Sequence, residues 1–211
     1  MAETVEQEAQ VPYQEAARRL LRDTLLDAAR RQLESRTWSE VTMAEVAGAA
    51  GLSRQTLYRE FGSRDEFAQA FVIREAEHFL DAVEHSVRSH ADDPRAAIKA
   101  AFGAFLSAAG DDPLIRTLLS DDGTGGMLPF VTTQGTPVVH WASERLGAVI
   151  ASSWPEAPVE EIRVLAESLV RLAISYITTP NGSPETTAAS VTALLGPYVN
   201  RVLAESTAPF A

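Results

Sequence analysis

Residues 42–67 read TMAEVAGAAGLSRQTLYREFGSRDEF, and this stretch decides how the rest of the chain is organised. Thr42 and Glu45 have the spacing of a capping box, in which a hydroxyl and a carboxylate satisfy free backbone N–H groups at a helix start. Gly51 tolerates the positive φ of a tight turn, and Ser53 is a good cap for a following helix. The pattern therefore predicts a helix-turn-helix.

The second helix of this pair, residues 54–60, points Leu57 and Phe61 inward and leaves polar side chains towards solvent. Such groups donate to phosphate oxygens or read base edges in a major groove. An ordinary polar face on a helical bundle is the alternative, but the order of small residue, glycine, capping serine and polar helix favours DNA. The predicted DNA contacts are Thr42, Ser53, Arg54, Gln55, Thr56, Tyr58, Arg59 and Arg64.

This segment resembles the N-terminal DNA-binding domain of the tetracycline-repressor (TetR) family of bacterial transcription regulators. The resemblance covers roughly residues 14–70, and Arg64 keeps the charge of a lysine usual in that family. Glu60 departs from the pattern, because the family usually carries histidine or another phosphate-compatible residue there. The residues that carry the resemblance are Thr42, Glu45, Val46, Ala47, Ala50, Gly51, Leu52, Ser53, Thr56, Leu57, Tyr58, Phe61, Ser63, Arg64 and Phe67.

The whole chain is predicted to be all-α, because no strand-like alternation occurs in its 211 residues. Residues 1–13 are polar and acidic and are predicted to form a disordered tail. We call residues 14–66 the head, a three-helix helix-turn-helix DNA-binding domain. Residues 67–211 are the body, a helical domain for effector binding and dimerisation, as the resemblance implies.

The charge distribution agrees with a DNA-binding head despite the net charge of −11. The tail carries −3, residues 14–70 balance nine arginines against nine acids, and the remainder carries −8. An acidic body behind a neutral head limits non-specific DNA binding and orients the head towards phosphate.

Helix signals divide the body. A long helix is expected over 63–90, running from the head into the body. Asp93-Pro94, Asp112-Pro113 and Ser183-Pro184 each combine an N-cap with proline at the first helical position. The resulting helices are expected at 94–109, 112–120, 128–152 with a break near Pro137, 158–179 and 184–206, with a loop over 120–126.

The last two helices carry the longest apolar stripes. Both stripes are compatible with a monomer core, but helix-turn-helix heads usually read half-sites as a two-fold pair, and two-fold symmetry is the commonest closed assembly. The resemblance implies that these helices pair with their copies as a four-helix bundle. The predicted dimer residues are Ile162, Leu165, Leu169, Leu172, Leu194, Leu195, Tyr198 and Val202.

The middle helices are rich in large apolar residues, which are more often core than a binding site. The resemblance nevertheless implies an effector cavity there. An elongated hydrophobic effector, such as a fatty acid or an acyl thioester, fits better than a sugar phosphate, because no arginine or lysine pair is expected inside. The predicted lining residues are Phe102, Phe105, Leu106, Leu118, Met127, Phe130, His140, Trp141 and Tyr176.

Other classes of protein have weaker support. His78 and His85 lie two helical turns apart, too far to share one metal ion, and no convergent acid, base or nucleophile is visible. The sequence therefore predicts no enzyme, no cofactor and no metal. The chain has no membrane-span-length apolar stretch and no signal-peptide-like start, so we expect a cytoplasmic protein without membrane contact.

The leading hypothesis is a transcriptional repressor that binds a palindromic operator in double-stranded DNA as a homodimer and is released by a small hydrophobic effector. Gln55 and Thr56 are the expected base readers. The residues expected on phosphates are Tyr58, Thr42, Ser53 and Arg64. The alternative is a helical small-molecule-binding protein whose head is a protein-interaction adaptor.

Overall fold

The computed structural model describes residues 2–115 and 126–204, and every regular element in these ranges is helical, which confirms the all-α prediction. The α-helices are α1 (Ala2–Leu33), α2 (Met43–Ala49), α3 (Arg54–Phe61), α4 (Arg64–Ser89), α5 (Pro94–Asp111), α6 (Thr136–Ser153), α7 (Val159–Thr178) and α8 (Pro184–Val199). The remaining helical elements are 3-10 helices at Trp38–Glu40 and Leu128–Phe130 and a π-helix at Asn200–Ala204.

The N-terminal segment differs from its prediction. The tail was expected to be disordered over residues 1–13, whereas the structure continues α1 back to Ala2. Alanine, glutamate and glutamine dominate this segment, and all three are strong helix formers. Charge and polarity pointed to disorder, but helix propensity in continuity with an existing helix outweighs them.

The middle of the body differs in where its helices begin. One helix was predicted over 128–152 with a break near Pro137, and the structure has the short 3-10 helix Leu128–Phe130 followed by α6 from Thr136. Pro137 lies in the first turn of α6 because a proline there removes no intrahelical hydrogen bond. Most of the predicted helix over 112–120 and loop over 120–126 lies outside the described residues.

The predicted caps of the body helices are confirmed where they are described. The carboxylate of Asp93 accepts hydrogen bonds from the N–H groups of Arg95 and Ala96 at 3.0 and 3.1 Å, which starts α5. Ser183 accepts from the N–H of Thr186 at 3.3 Å and starts α8. Each cap satisfies N–H groups that have no partner inside the helix.

Two hydrophobic clusters form the core. The first packs α1, α2 and α3 around the start of α4, and it also takes in Leu114, Met127, Phe130 and Val138 from the body. The second packs the rest of α4 against α5, α6, α7 and α8. The head core is therefore continuous with one edge of the body.

Helix α4 belongs to both clusters. Phe67 and Phe71 are fully buried in the head cluster, whereas Val83 and Val87 are buried in the body cluster. At 26 residues the helix is about 39 Å long. It is thus a rigid link between the head and the body. No helix within residues 2–115 and 126–204 is long and apolar enough to cross a bilayer.

Candidate functional site

The helix-turn-helix is built by the caps that the sequence predicts. The N–H of Thr42 donates to the Glu45 carboxylate at 2.8 Å, and the N–H of Glu45 donates back to the Thr42 hydroxyl at 3.2 Å. The Thr42 hydroxyl also donates to the Glu45 carboxylate at 2.7 Å, and this bond, the bond from the Thr42 N–H and the nearby Arg36 lower the pKa of Glu45 to about 2. Gly51 holds φ at +70° in the turn, where a residue with a Cβ atom is strained.

The face of α3 that leaves the core is polar and accessible. Its Ser53 hydroxyl accepts from the N–H of Thr56 at 3.0 Å, so the helix begins at Arg54. Arg54 and Gln55 are exposed, and the Arg54 guanidinium lies 5.2 Å from the Tyr58 ring centroid. Opposite them, Leu57 and Phe61 are buried in the head cluster. The head therefore presents the start of α3 to solvent with its side chains available to DNA.

Glu60 is bonded to two arginines of α1. Its carboxylate accepts from Arg18 of α1 at 2.8 Å, and its backbone carbonyl accepts from Arg22 at 2.8 Å. The Arg22 guanidinium also lies 4.1 Å from the centroid of the Phe61 ring. The acidic residue that departs from the family pattern thus fastens α3 to α1, and its charge is offset by an arginine.

Arg64, for which the sequence predicts a phosphate contact, is bonded within the head. Its guanidinium donates to the carbonyl of Val41 at 2.7 Å and to that of Trp38 at 2.5 Å. It also lies 4.3 Å from the centroid of the Trp38 indole ring. These contacts tie the start of α4 to the link between α1 and α2, so Arg64 positions elements within the head.

Three neighbouring chambers lie in the body. The inner chamber, of about 110 Å³, is enclosed by α4, α5, α6 and α7 together with Leu203. The middle chamber, of about 100 Å³, lies nearer the head and is bounded by Val72, Met127 and Val138 among others. The outer chamber, of about 300 Å³, opens between the end of α5 and the turn from α7 to α8.

Five of the predicted lining residues reach these chambers. Phe102 lines the inner chamber, Phe105 lines the inner and middle chambers, and Met127 lines the middle one. Leu106 and Tyr176 line the outer chamber. The aromatic rings are held edge-to-face by neighbours, Phe105 against Phe79 and Phe102 against Tyr176. The prediction for Leu118 falls outside the described residues.

Three predicted lining residues lie elsewhere. Phe130 is buried in the head cluster, because its 3-10 helix packs beneath the head. The His140 side chain is 73% exposed on the outer surface of α6, where it faces Glu144 at 3.3 Å. Trp141 packs against the body cluster without bounding a chamber. Aromatic content alone does not indicate which side of a helix meets a void.

The most informative residue that the sequence analysis missed is Glu75, which is 2% exposed and lines the middle chamber. A signal for it was present, because Phe71, Glu75, Phe79 and Val83 recur every four residues and so share one face of α4. Since the other three are apolar, the spacing places a carboxylate on the buried face.

Glu75 is the centre of an ion network that joins the chamber wall to the head. Its carboxylate forms an ion pair with Arg30 of α1, and Arg74 approaches its other oxygen at 3.3 Å. Arg30 also contacts Asp112 at 3.3 Å. Asp112 in turn accepts from the N–H groups of Leu114 and Ile115. One arginine of the head is therefore bonded to two parts of the body.

The residues predicted for dimerisation are divided between core and surface. Ile162, Leu165, Leu169 and Val202 are buried within the protomer, so they cannot form the face that meets a second copy. Leu172, Leu195 and Tyr198 are partly buried against the body cluster, whereas Leu194 is 71% exposed. The apolar stripes of α7 and α8 are present, but most residues of each stripe pack against the inner helices of the same protomer.

The chain matches known proteins over both its parts. Residues 25–71 match the family described as bacterial regulatory proteins, tetR family. Residues 93–197 match the family described as bacterial tetracyclin repressor, C-terminal domain. The chain is also 36% identical over 198 residues to the HTH-type transcriptional regulator AlkX of Mycobacterium tuberculosis (strain ATCC 25618 / H37Rv). This match covers 94% of this chain and 94% of AlkX.

Two solved structures are similar in fold. One is the TetR family repressor AlkX from Dietzia sp. strain DQ12-45-1b, which is implicated in biodegradation of n-alkanes. It is 37% identical to this chain, with a TM-score of 0.75, and the match covers 86% of this chain and 96% of the AlkX chain. The RolR complex with resorcinol is 17% identical with a TM-score of 0.60, over 93% and 98% of the two chains. At that identity RolR is informative about the fold alone.

Proposed function

Because this chain belongs to the TetR family of bacterial transcription regulators, we propose that it is a repressor released from its operator by an elongated hydrophobic effector. Regulators of this family bind operator DNA and act as dimers. Within that frame, the operator contacts, the dimer face and the effector class of this chain are our proposals.

The observation that carries the proposal is the accessible polar face of α3 beside a fully formed helix-turn-helix. We propose that Gln55 and Thr56 reach base edges in the major groove and that Tyr58, Thr42 and Ser53 contact phosphates, with Arg54 and Arg59 on either side. The exposure of Arg54, Gln55 and Arg59 supports these assignments. We omit Arg64, because its guanidinium is bonded to carbonyls within the head.

The dimer face that we propose lies on the outer side of α7 and α8. Tyr198 donates to the carboxylate of Glu161, which joins the end of α8 to the start of α7. Val164 of α7 and Leu194 of α8 are 41% and 71% exposed. Large exposed aliphatic side chains on neighbouring helices are typical of a protein interface.

The effector that we propose is a long apolar chain, such as a fatty acid or an acyl thioester. The inner and middle chambers support this class, because their described walls are almost entirely apolar. The relative from Dietzia is implicated in biodegradation of n-alkanes, so we propose that this chain controls genes for the use of long-chain hydrocarbons or of their oxidised products.

The release mechanism that we propose acts through Arg30. An effector in the middle chamber lies beside Glu75 and Ile115, and both of these wall positions are connected to Arg30 of the head. A shift of either wall moves α1 relative to α4 and changes the spacing of the two heads. By linkage, the effector must bind the released state more tightly, and operator must weaken effector binding by the same factor.

The test is fluorescence anisotropy with labelled DNA fragments from around the protein's own gene, titrated at several salt concentrations. A specific operator complex should be competed by one palindromic fragment only, and its affinity should fall steeply as salt rises because phosphate contacts release counterions. Addition of hexadecanoic acid or its coenzyme A thioester should then reduce the anisotropy. Binding that every fragment competes equally contradicts the proposed repressor.

A further inference from the structure

The three chambers lie in the same order along two helices. On α5, Phe102 lines the inner chamber, Phe105 lines the inner and middle chambers, and Ala109 lines the middle and outer ones. On α7, Ile174 is shared by the inner and middle chambers, and Ile177 by the middle and outer ones. The chambers therefore lie end to end between α5 and α7, and we call this series the channel.

The channel is long and narrow. Its walls on α5 run from Ile98 in the inner chamber to Gly110 in the outer one, which is roughly 18 Å of helix. On α7 they run from Leu169 to Thr178, and continue to Asn181 in the turn that follows. A space of this shape suits a single extended chain better than a fused ring system.

The inner end of the channel is closed. Ile150, Trp154 and Leu203 bound it there and are all buried. The Trp154 indole N–H donates to the carbonyl of Ala91 at 3.0 Å, which fixes the ring against the end of α4. Leu203 is brought to this position by the π-helix Asn200–Ala204 that follows α8. These residues form a fixed apolar floor.

The polarity of the channel changes from one end to the other. Every described wall of the inner chamber is apolar apart from the Trp154 indole nitrogen, which already donates to Ala91. The outer chamber includes Tyr176, Asn181 and Thr187 in its walls and lies at the surface. A ligand with one apolar end and one polar end therefore has a single favourable direction of entry.

We propose that this channel binds a single-chain amphiphile tail first, with its methyl end against Trp154 and Leu203 and its polar head in the outer chamber near Asn181 and Tyr176. The inference rests on the proposed function and adds the direction of the ligand and the residues that limit its length. Phe105 lies where the inner and middle chambers meet, so a chain must pass beside its ring.

This arrangement predicts a limit on chain length. Each methylene buried in an apolar chamber raises affinity by about fourfold. That gain should continue along a series of n-alkanoic acids until the methyl end reaches the floor, and longer acids should then gain nothing or lose affinity. The same break should occur for n-alkanols, because the floor contacts the tail and not the head.

The first experiment compares hexadecanoic acid with hexadecanedioic acid on the full chain, by isothermal titration calorimetry. The diacid has a carboxyl group at both ends, so tail-first entry buries one of them against the apolar floor without a partner. We expect the diacid to bind at least tenfold more weakly. Equal affinity for the two ligands overturns the tail-first orientation, and this comparison needs no variant.

The second experiment measures the chain-length series with Leu203→Ala. Removal of the side chain deepens the floor, so the break should move to longer acids while short acids keep their affinity. Leu20→Ala is the matched control, since it makes the same change at an exposed position of α1, away from the channel. A break that stays at the same length in Leu203→Ala overturns the assignment of the floor.

The outcomes also separate this inference from the proposed function. If no acid or alcohol of the series binds the unmodified protein, the proposed effector class is wrong and the orientation with it. If the amphiphiles bind without discrimination against the diacid, the orientation alone is wrong, and operator release by a chain-like effector still stands.

Discussion

Glu60 illustrates how the environment of one residue decides what its charge does. A carboxylate on the helix that we propose faces DNA is expected to be repelled by phosphates, but this carboxylate accepts a hydrogen bond from Arg18 at 2.8 Å. Its backbone carbonyl accepts from Arg22, which also stacks on Phe61. Sequence position placed Glu60 beside DNA, whereas its contacts place it between α3 and α1.

At the same scale, Gln55 and Arg59 should separate base reading from phosphate binding. Gln55→Ala removes a proposed base contact and should cost about 1–3 kcal/mol of operator affinity while relaxing preference at one base pair. Arg59→Ala should instead weaken binding to all sequences alike. It should also reduce the slope of the logarithm of affinity against the logarithm of salt concentration by about one. Anisotropy against operators with single base changes measures both effects.

A matched control for these variants is Arg163→Ala. Arg163 pairs with Glu160 on the surface of the body, so the loss of the Arg163 side chain should leave DNA binding unchanged. If Gln55→Ala lowers affinity equally for all operator variants, Gln55 does not read a base.

The Glu45 cap should make the head sensitive to acid. Its pKa is lowered to about 2 in the folded chain from an ordinary value of 4.5. The stabilisation is thus complete above about pH 4.5 and is lost as the pH falls towards 2. In Glu45→Gln, the temperature at the midpoint of unfolding should therefore fall less over that pH range than it does in the unmodified protein. Circular dichroism measures this temperature.

The control for the Glu45 variant is Glu34→Gln, which removes an exposed carboxylate outside the capping box. That variant should keep the pH dependence of the unmodified protein. An unchanged slope in Glu45→Gln would show that the Thr42–Glu45 bonds do not contribute to acid sensitivity.

At the scale of elements, α4 and α1 connect the wall of the proposed effector channel to the head. Helix α4 supplies channel walls through Val72, Ala76 and Val83, and its first turns belong to the head core. The Arg30–Glu75 ion pair fixes α1 to α4 beside the middle chamber. Two helices that are joined by an ion pair at the wall of a cavity are suited to pass a ligand-induced shift to the head.

Glu75→Gln tests this connection. The substitution keeps the shape of the side chain but removes the charge that holds Arg30, so effector binding and head position should become less coupled. We expect the ratio of operator affinities without and with hexadecanoic acid to fall by a factor of about 2–30, corresponding to 0.5–2 kcal/mol. Anisotropy titrations at saturating effector measure this ratio.

Glu84→Gln is the matched control, because Glu84 lies on the same helix and pairs with Arg88 and Arg145, away from α1. It should leave the ratio unchanged. Equal coupling in Glu75→Gln and the unmodified protein, with both folded, argues against a role for the Arg30–Glu75 pair in release.

At the scale of the whole molecule, the assembly depends on surfaces that remain after each protomer has formed its core. Most of the apolar stripe of α7 is consumed inside the protomer, where Ile162 and Leu165 are buried. Val164 and Leu194 stay exposed, and the face that carries them is the one that we propose for the second copy. A dimer through this face doubles the number of heads and so allows two half-sites to be read.

Leu194→Glu should disrupt that dimer. A charge at the centre of an apolar interface loses hydration without gaining a partner, so the protein should become monomeric while each protomer stays folded. Operator affinity should fall strongly as a result. Analytical ultracentrifugation gives the oligomeric state, and circular dichroism verifies the fold.

Leu20→Glu provides the control, because Leu20 is 68% exposed on α1 of the head and undergoes the same chemical change. The Leu20→Glu variant should sediment as a dimer, like the unmodified protein. A dimer that persists in Leu194→Glu places the interface on another surface.

The sequence alone determined the head of this protein. The capping box at Thr42, the turn at Gly51 and the cap at Ser53 are local signals, since each depends on residues at most four positions apart. The all-α class and most body helices were also predictable, because proline and cap residues mark their starts. Local hydrogen bonding and periodicity are written into neighbouring residues, so no tertiary information is needed for them.

Only the tertiary structure decided which apolar residues line a channel, fill a core or remain on the surface. Phe102 and Phe130 look alike in sequence, yet one bounds the inner chamber and the other is buried beneath the head. The bond between Arg30 and Glu75 joins residues 45 positions apart, which no local pattern encodes. A void and a long-range ion pair are properties of how helices pack, and packing depends on all of them at once.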